Sequence, residues 1–358
     1  MEFSEIALTG VTVVGGAIAV ALFGIIAGLF YKGIDRKLAA HMQGRIGPPL
    51  RQPFLDVRKL FVKENVVPEN AVGWIFNLVP IIGLVATISI LLYIPLGGFP
   101  AILDGFIFGK GDLLVVLYLL MIPSLAMVIG GFASGSPYAT VGAQREMATM
   151  IAYEFPLAII IISLAWRLSN VMDASYVFSF TTIASTPLWG IVGPVGFIGA
   201  LVLLFTLLLV TPAELSKIPF DSPEAETEIA DGLLVEYSGR NLSMFYLMDG
   251  VKTVVMGSLI IALFFPYNLS TFLSLEAMSI PAITADIIFY LVKLLLVIVF
   301  SVTLIRIGVA RLKIDQVVYT YWVPLTLIGL VGLICLMWDG YIMELTGIST
   351  IVELLGFV

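Results

Sequence analysis

Eight apolar runs, at 6–30, 72–95, 113–132, 147–166, 188–210, 242–265, 284–305 and 322–338, leave this 358-residue chain few ways to fold. A helix crosses a hydrocarbon core of about 30 Å with about 20 apolar residues. Only helices and closed barrels keep backbone polar groups satisfied there. None of the runs alternates with the period of two that a barrel strand needs. The chain therefore reads as an all-α integral membrane protein, a bundle of eight transmembrane helices with long cytoplasmic loops, in a single multi-pass domain over 1–358. Only 12% of its residues are charged, against about 25% in soluble domains. Small residues such as Gly15, Gly16, Gly24 and Gly28 suit close helix packing in the first run. That run follows Met-Glu-Phe-Ser-Glu, acidic where a signal peptide would be positive, so no secretory signal is read. No internal repeat of the secondary-transporter kind is evident.

Basic residues set the expected orientation. The loops joining odd to even runs carry Lys32, Arg36, Lys37, Arg45, Arg51, Arg58, Lys59, Lys63, Arg145, Lys217, Arg240, Arg306, Arg311 and Lys313, which is 14 of the 18 Lys plus Arg. Lys110 and Arg167 lie on the opposite side, and Lys252 and Lys293 lie within runs. The positive-inside rule then puts the large loops in the cytoplasm and both termini outside the cell membrane. The net charge of −7 argues against a nucleic-acid partner. With one cysteine, Cys335, and one histidine, His41, the chain lacks the ligands for a zinc or iron–sulfur site of its own. It also cannot form an intrachain disulfide, and Cys335 reads as a small core residue.

Three constellations could carry chemistry. The first is the loop at 32–71, where Gly44, Gly47, Pro48 and Pro49 make a rigid turn. Residues 53–63 then read as an amphipathic helix, with Phe54, Val57, Leu60 and Phe61 on one face and Arg58, Lys59 and Lys63 on the other. Such a helix suits the membrane interface, where lipid headgroup contact explains its charges as well as a protein partner does. The second is the loop at 211–241, which holds Glu214, Asp221, Glu224, Glu226, Glu228, Asp231 and Glu236, seven of the 25 acidic residues. With Ser222 as N-cap and Pro223 in the first turn, 223–236 is expected to be helical. Glu224, Glu228 and Asp231 would then share a face at i, i+4, i+7. Crowded, partly buried carboxylates take up protons near neutral pH; the plain alternative is a solvated acidic helix. Flanking Phe220, Leu233, Leu234 and Tyr237 argue for packing.

The third constellation is ionisable residues at membrane depth, which are costly and usually face the bundle interior, pair or line an ion path. Glu154 sits in Tyr153-Glu-Phe-Pro156, where Pro156 weakens the helix. Asp249 and Lys252 are spaced i, i+3, as a structural ion pair or as stations of a path. Asp286 and Lys293 share a face seven residues apart. Arg306, Arg311, Lys313 and Asp315 end the seventh run, where snorkelling and a relay explain them equally.

Four motifs, in order along the chain, carry a resemblance. They are Gly44-Arg-Ile-Gly-Pro48 with Gln52-Pro-Phe-Leu-Asp56 and Lys59-Leu-Phe-Val-Lys-Glu64; Gly142-Ala-Gln-Arg-Glu-Met-Ala-Thr-Met-Ile-Ala-Tyr-Glu-Phe-Pro156; Pro219-Phe-Asp-Ser-Pro-Glu-Ala-Glu-Thr-Glu228 running into Glu236-Tyr-Ser-Gly239; and Arg311-Leu-Lys-Ile-Asp-Gln316. Together they resemble the membrane connecting subunit shared by complex I, as its subunit 1, and by energy-converting membrane-bound hydrogenases and sulfane reductases. The resemblance implies a subunit that is not catalytic alone. It would join a cytoplasmic arm of iron–sulfur-cluster-bearing subunits to antiporter-like membrane subunits that move protons or sodium.

On this reading no cofactor is bound by this chain, the clusters belong to partners, and one branch of the family adds a quinone. Glu154, Glu214, Asp221, Glu224, Glu226, Glu228, Asp231, Glu236, Asp249, Lys252 and Lys293 become proton-path candidates. Arg36, Arg45, Asp56, Lys59, Lys63, Glu64, Arg145, Arg311, Lys313 and Asp315 become candidates for the peripheral-arm interface. The compact Gly47-Pro-Pro-Leu-Arg-Gln-Pro53 resembles the hydrogenase branch, whereas Tyr153-Glu154 and Pro219-Phe-Asp221 resemble the quinone branch. A stand-alone secondary transporter and a passive scaffold are the readings of other classes.

Overall fold

The protein, as a computed structural model, is described over residues 3–96, 112–171, 177–273 and 279–346; Lys110 lies outside them. Each apolar run became a helix, because a helix satisfies its own backbone without water. The long elements are α1 (Phe3–Met42), α3 (Gly73–Tyr93), α4 (Asp112–Ala133), α5 (Pro137–Ser169), α6 (Pro194–Glu214), α7 (Gly239–Phe264), α8 (Ile280–Gly308) and α9 (Ile314–Leu345). The short α2 (Gln52–Val62) lies between α1 and α3. Among the described residues, eight helical stretches are long and apolar enough to cross a membrane.

The bundle is built around α7. Val251, Val254, Val255 and Leu259 on it are wholly buried, so a helix of moderate hydropathy, carrying Asp249 and Lys252, runs where lipid does not reach. Glycine allows the close approach: a Cβ at Gly28 of α1 would fall on the Gly250 carbonyl of α7, so the two backbones touch. Gly199 of α6 is packed in the same way against Cys335 and Gly332 of α9. The outer faces stay apolar and exposed, as along Val14, Ile18, Leu22 and Ile26 of α1.

The loops that join α1 to α3, α4 to α5, α6 to α7 and α8 to α9, those between the odd and even apolar runs, collect at one end. Val72 N–H donates to the Ala133 carbonyl (2.9 Å), Val66 N–H to the Ser238 hydroxyl (3.0 Å) and Leu312 N–H to the Pro219 carbonyl (3.1 Å). Helix α2 is amphipathic as expected, with one change of face. Pro53, Phe54 and Val57 turn inward, where Val57 packs with Leu29 of α1 and Leu247 of α7, while Phe61 points outward beside Lys59 and Lys63. Helix α5 runs unbroken through Pro156.

The expected continuous helix over 223–236 is not formed. The segment is a 3-10 turn at Ser222–Glu224, one α turn at Glu226–Ile229 and a second 3-10 turn at Gly232–Leu234. Between the last two, Ala230 and Asp231 take positive φ. The physical reason is contact: a Cβ at Gly142 of α5 would lie 2.7 Å from the Leu233 nitrogen, so the segment is pressed flat onto α4 and α5. Leu233 and Ile229 are buried by that packing. Ser222 begins the first turn rather than capping it. Glu224, Glu228 and Asp231 therefore do not share a face.

Candidate functional site

Beneath the flattened segment is a cleft of about 570 Å³, lined among others by Lys32, Arg36, Ser216, Lys217, Asp221, Glu224, Asp231, Arg306 and Arg311. Its rim is held by ion pairs. Arg311 grips both oxygens of Asp221, with Nε to Oδ1 at 2.8 Å, and also donates to Thr227 at 2.9 Å. Arg145 pairs with Glu228 at 2.6 Å and donates to the Ser222 carbonyl. Arg306 pairs with Asp35 at 2.8 Å, and Asp35 also accepts from Thr303.

At the base of the cleft, Asp249 of α7 lies between two lysines, Lys32 of α1 at 2.6 Å and Lys217 at 2.7 Å. The Lys32 ammonium also sits 3.4 Å above the Tyr246 ring, a cation–π contact. Asp249 and Lys252, read from their spacing as a structural ion pair or as stations of a path, do not pair with each other and take different partners. One helical turn separates them, and each meets an opposite charge from a neighbouring helix. Glu224 is half-buried beside this group. Burial pushes its carboxyl up to about 7, against the pull of Lys217 and with the push of Asp249 and Glu146.

Deeper in the bundle is a second cluster. Lys252 of α7 pairs with Glu214 of α6 at 2.8 Å and donates to Ser124 of α4 at 2.9 Å. The Ser124 hydroxyl in turn shares a hydrogen bond with Tyr153 of α5 at 3.0 Å. Glu146 of α5 faces Lys252 and Glu214, with the hydroxyls of Ser124 and Ser216 beside it. Glu154 of α5 is half-buried, within electrostatic reach of Glu214 and Lys252. Lys293 belongs to neither cluster; it donates to the Phe265 and Tyr267 carbonyls at 2.9 and 2.8 Å, beyond the far end of α7. Asp286, on the same face, binds Ser270 instead.

The two clusters are linked through Glu224, whose charge interacts with Glu146 as well as with Lys217 and Asp249. Side chains from α1, α4, α5, α6 and α7 thus form a file of ionisable groups leading from the cleft into the bundle. Of the acidic-loop residues, Glu226, Glu228 and Asp231 remain exposed at the mouth and Glu236 is half-buried. Of the interface candidates, Arg45, Lys59, Lys63, Glu64, Lys313 and Asp315 stand exposed at this end. Arg36 and Asp56 instead pair with each other at 3.0 Å, pinning α2 to α1, and Arg145 and Arg311 are engaged with the acidic segment.

Sequence reasoning did not select Glu146, Lys32 or Ser124. Arg145-Glu146 reads as a polar loop edge when the spanning run is begun at 147. The helix in fact starts at Pro137, which puts Glu146 and Tyr153 seven residues apart on one inward face. A second omission lies at the other end. Asp339 of α9 pairs with Arg167 at 3.2 Å and accepts the N–H groups of Gly193 and Gly196 at the start of α6.

An all-helical bundle that opens a charged file toward one end defines the class: a multi-pass membrane subunit carrying ionisable groups into its own interior. Residues 15–337 match the family model described as NADH dehydrogenase, and the chain belongs to that family, the subunit 1 family of complex I. It is 33% identical to a subunit of the NADH-quinone oxidoreductase of Brevibacillus brevis, over 88% of this chain and 90% of that one. Hydrogenase-4 component C of Escherichia coli is 31% identical over 80% of this chain and 84% of its own length. A subunit of the F(420)H(2) dehydrogenase of Methanosarcina mazei is 30% identical over 92% and 95%. Among solved structures, a chain of the membrane-bound sulfane sulfur reductase, an archaeal respiratory membrane complex, superposes with a TM-score of 0.78 at 27% identity. That likeness covers 91% of this chain and 99% of the other.

Proposed function

We propose that this chain is the membrane connecting subunit of an ion-pumping respiratory complex. It would couple electron transfer in a cytoplasmic iron–sulfur arm, from ferredoxin to protons or sulfane sulfur, to proton or sodium translocation. One observation carries the reading. Glu224, the Lys32–Asp249–Lys217 group and the Glu146–Lys252–Glu214 group form a file from an open cleft into the bilayer-embedded bundle. Groups of this kind at membrane depth mark ion pathways. The exposed charges of α2 and of the 309–313 loop at the cleft end suit cluster-bearing partner subunits. The apolar flanks suit lipid and antiporter-like membrane subunits.

With 14 of the 18 Lys plus Arg on the loops that collect there, that end is assigned to the cytoplasm and both termini to the outside. Most side chains lining the cleft are ionisable, which suits water and ions better than an isoprenoid tail. The quinone-dependent reading keeps the same subunit role. It is supported by the 33% identity to a subunit of an NADH-quinone oxidoreductase, and it predicts an activity that quinone-site inhibitors abolish.

The test is Glu154→Gln and Glu214→Gln in the assembled complex, reconstituted in vesicles. The rate of ion movement driven by electron transfer should fall by roughly a hundredfold or more, the scale of losing a positioned proton-transfer group. A normal rate in both variants would reduce the chain to a scaffold.

A further inference from the structure

The loop that clasps the acidic segment stands on a pair of matched irregularities. Helix α8 is π-helical at Val299–Thr303, shortly before it ends at Gly308, and α9 is π-helical at Tyr321–Leu325, shortly after it begins at Ile314. The two turns thus lie at similar distances from the 309–313 loop. In α9 the cause is local: Pro324 has no N–H to return to the Thr320 carbonyl, and a π turn, bonded from i to i+5, steps over the gap. In α8 the Thr303 hydroxyl leaves its own helix and donates to Asp35 of α1 at 2.8 Å.

The turns are anchored and the tip between them is not. Ser301, Val302, Thr303, Tyr321 and Leu325 are buried, and the Tyr321 hydroxyl donates to the Leu209 carbonyl of α6 at 2.8 Å. Beyond the turns the packing thins, and of residues 304–320 only Val317 is buried. Polar contacts hold this tip down: Arg306 on Asp35 at 2.8 Å, Arg311 on Asp221 and Thr227, and Leu312 N–H on the Pro219 carbonyl at 3.1 Å. Asp35, Asp221, Arg306 and Arg311 all line the cleft. The contacts that close the tip are therefore part of the cleft wall.

We propose that residues 304–320 are a flap over one side of the cleft, hinged at the two π turns and latched by Arg306 and Arg311. Helices kink at π turns and prolines, by about 20° or more. From Thr303 to the loop the arm is about 10 Å, at about 1.5 Å per residue. Such a kink moves the loop by about 3–4 Å, enough to part both arginine pairs and open the cleft beside α8. Both latches are partly exposed, so water can take the place of a parted ion pair. Helix α7 and the buried turns stay where they are. The flap requires no particular ion or electron acceptor, and it can fail or stand whatever the Glu154 and Glu214 variants do.

The experiment is a pulsed electron paramagnetic resonance distance measurement in the assembled complex, with Cys335→Ser as background. Spin labels go on Val309→Cys at the tip and Gln144→Cys on α5, both exposed positions. The parent should show one main distance, and unlatching with Asp35→Asn and Asp221→Asn should make a second one, displaced by about 3–4 Å, the major population. A π turn holds one residue more than the α turn it replaces. Deleting the outward Phe300 and Val323, with Pro324→Ala, should therefore straighten both helices in register and abolish the second distance even in the unlatched protein. A single distance shared by the parent and the unlatched variant overturns the proposal. So does a second distance that survives the deletions. Should the deletions prevent assembly, the unlatched variant alone decides between a flap and a fixed hairpin.

Discussion

Asp339 shows how much one buried carboxylate can hold. Fully buried on α9, it neutralises Arg167 of α5 and accepts two backbone N–H groups at the start of α6, where the helix dipole also favours a negative charge. Removing one partner of a buried pair leaves the other charge uncompensated, at about 3–5 kcal/mol. Asp339→Ala should therefore lower the melting temperature of the detergent-solubilised complex sharply, and Asp339→Leu with Arg167→Met should recover most of the loss. A single variant that melts like the parent would refute the role. Glu224 gives the pH counterpart. Burial raises its carboxyl to about 7 in the folded protein, whereas an unfolded Glu titrates near about 4.3. Between those values the folded chain keeps a proton that the unfolded chain has lost. Stability from this group is then complete below the lower value and is lost as pH rises toward the upper one. Thermal melting across that window should slope downward with pH in the parent and lose this component in Glu224→Gln.

At the scale of elements, the acidic segment explains both a success and a miss. That Phe220, Leu233 and Tyr237 would pack was readable from their apolar character, and all three are buried. That the segment would break into three short turns was not, because the cause is tertiary: Gly142 and Gly131 let it lie against the α4–α5 hairpin. Local spacing reports only what a free helix would do. Helix α5 failed the other way, since its apolar run understated a helix that begins ten residues earlier and carries Glu146 inward. What fixes the segment over the cleft is the 309–313 loop, through Arg311 on Asp221 and Leu312 N–H on the Pro219 carbonyl. π-helical turns at Val299–Thr303 and Tyr321–Leu325 flank that loop. A charge-assisted hydrogen bond contributes about 1.5–3 kcal/mol. Arg311→Ala should accordingly speed amide exchange at 219–224 and 309–313 by roughly 10- to 100-fold while α7 stays protected. Unchanged exchange in both stretches would mean that the loop is held by something else.

For the molecule as a whole, the eight helices and the grouping of loops were legible because bilayer thickness and backbone satisfaction leave few alternatives. The file of charges was not, because Lys32, Glu146, Glu214, Asp249 and Lys252 come together only through packing around α7. The sidedness of that file decides its direction of use, and the two ends differ enough to test. Asp231 is exposed at the cleft mouth, and Asn170 is exposed at the far end, beyond α5. Cys335, the single native cysteine, is half-buried on α9 and can be replaced by serine. In that background, a membrane-impermeant thiol reagent should label Asp231→Cys only in inverted vesicles stripped of peripheral subunits. Asn170→Cys should be labelled only in right-side-out vesicles. The reverse pattern would turn the cleft away from the cytoplasm and detach it from any cytoplasmic electron-transfer arm. The expected pattern, with labelling of Asp231→Cys blocked once the peripheral subunits rebind, would put the entrance of the file directly beneath them.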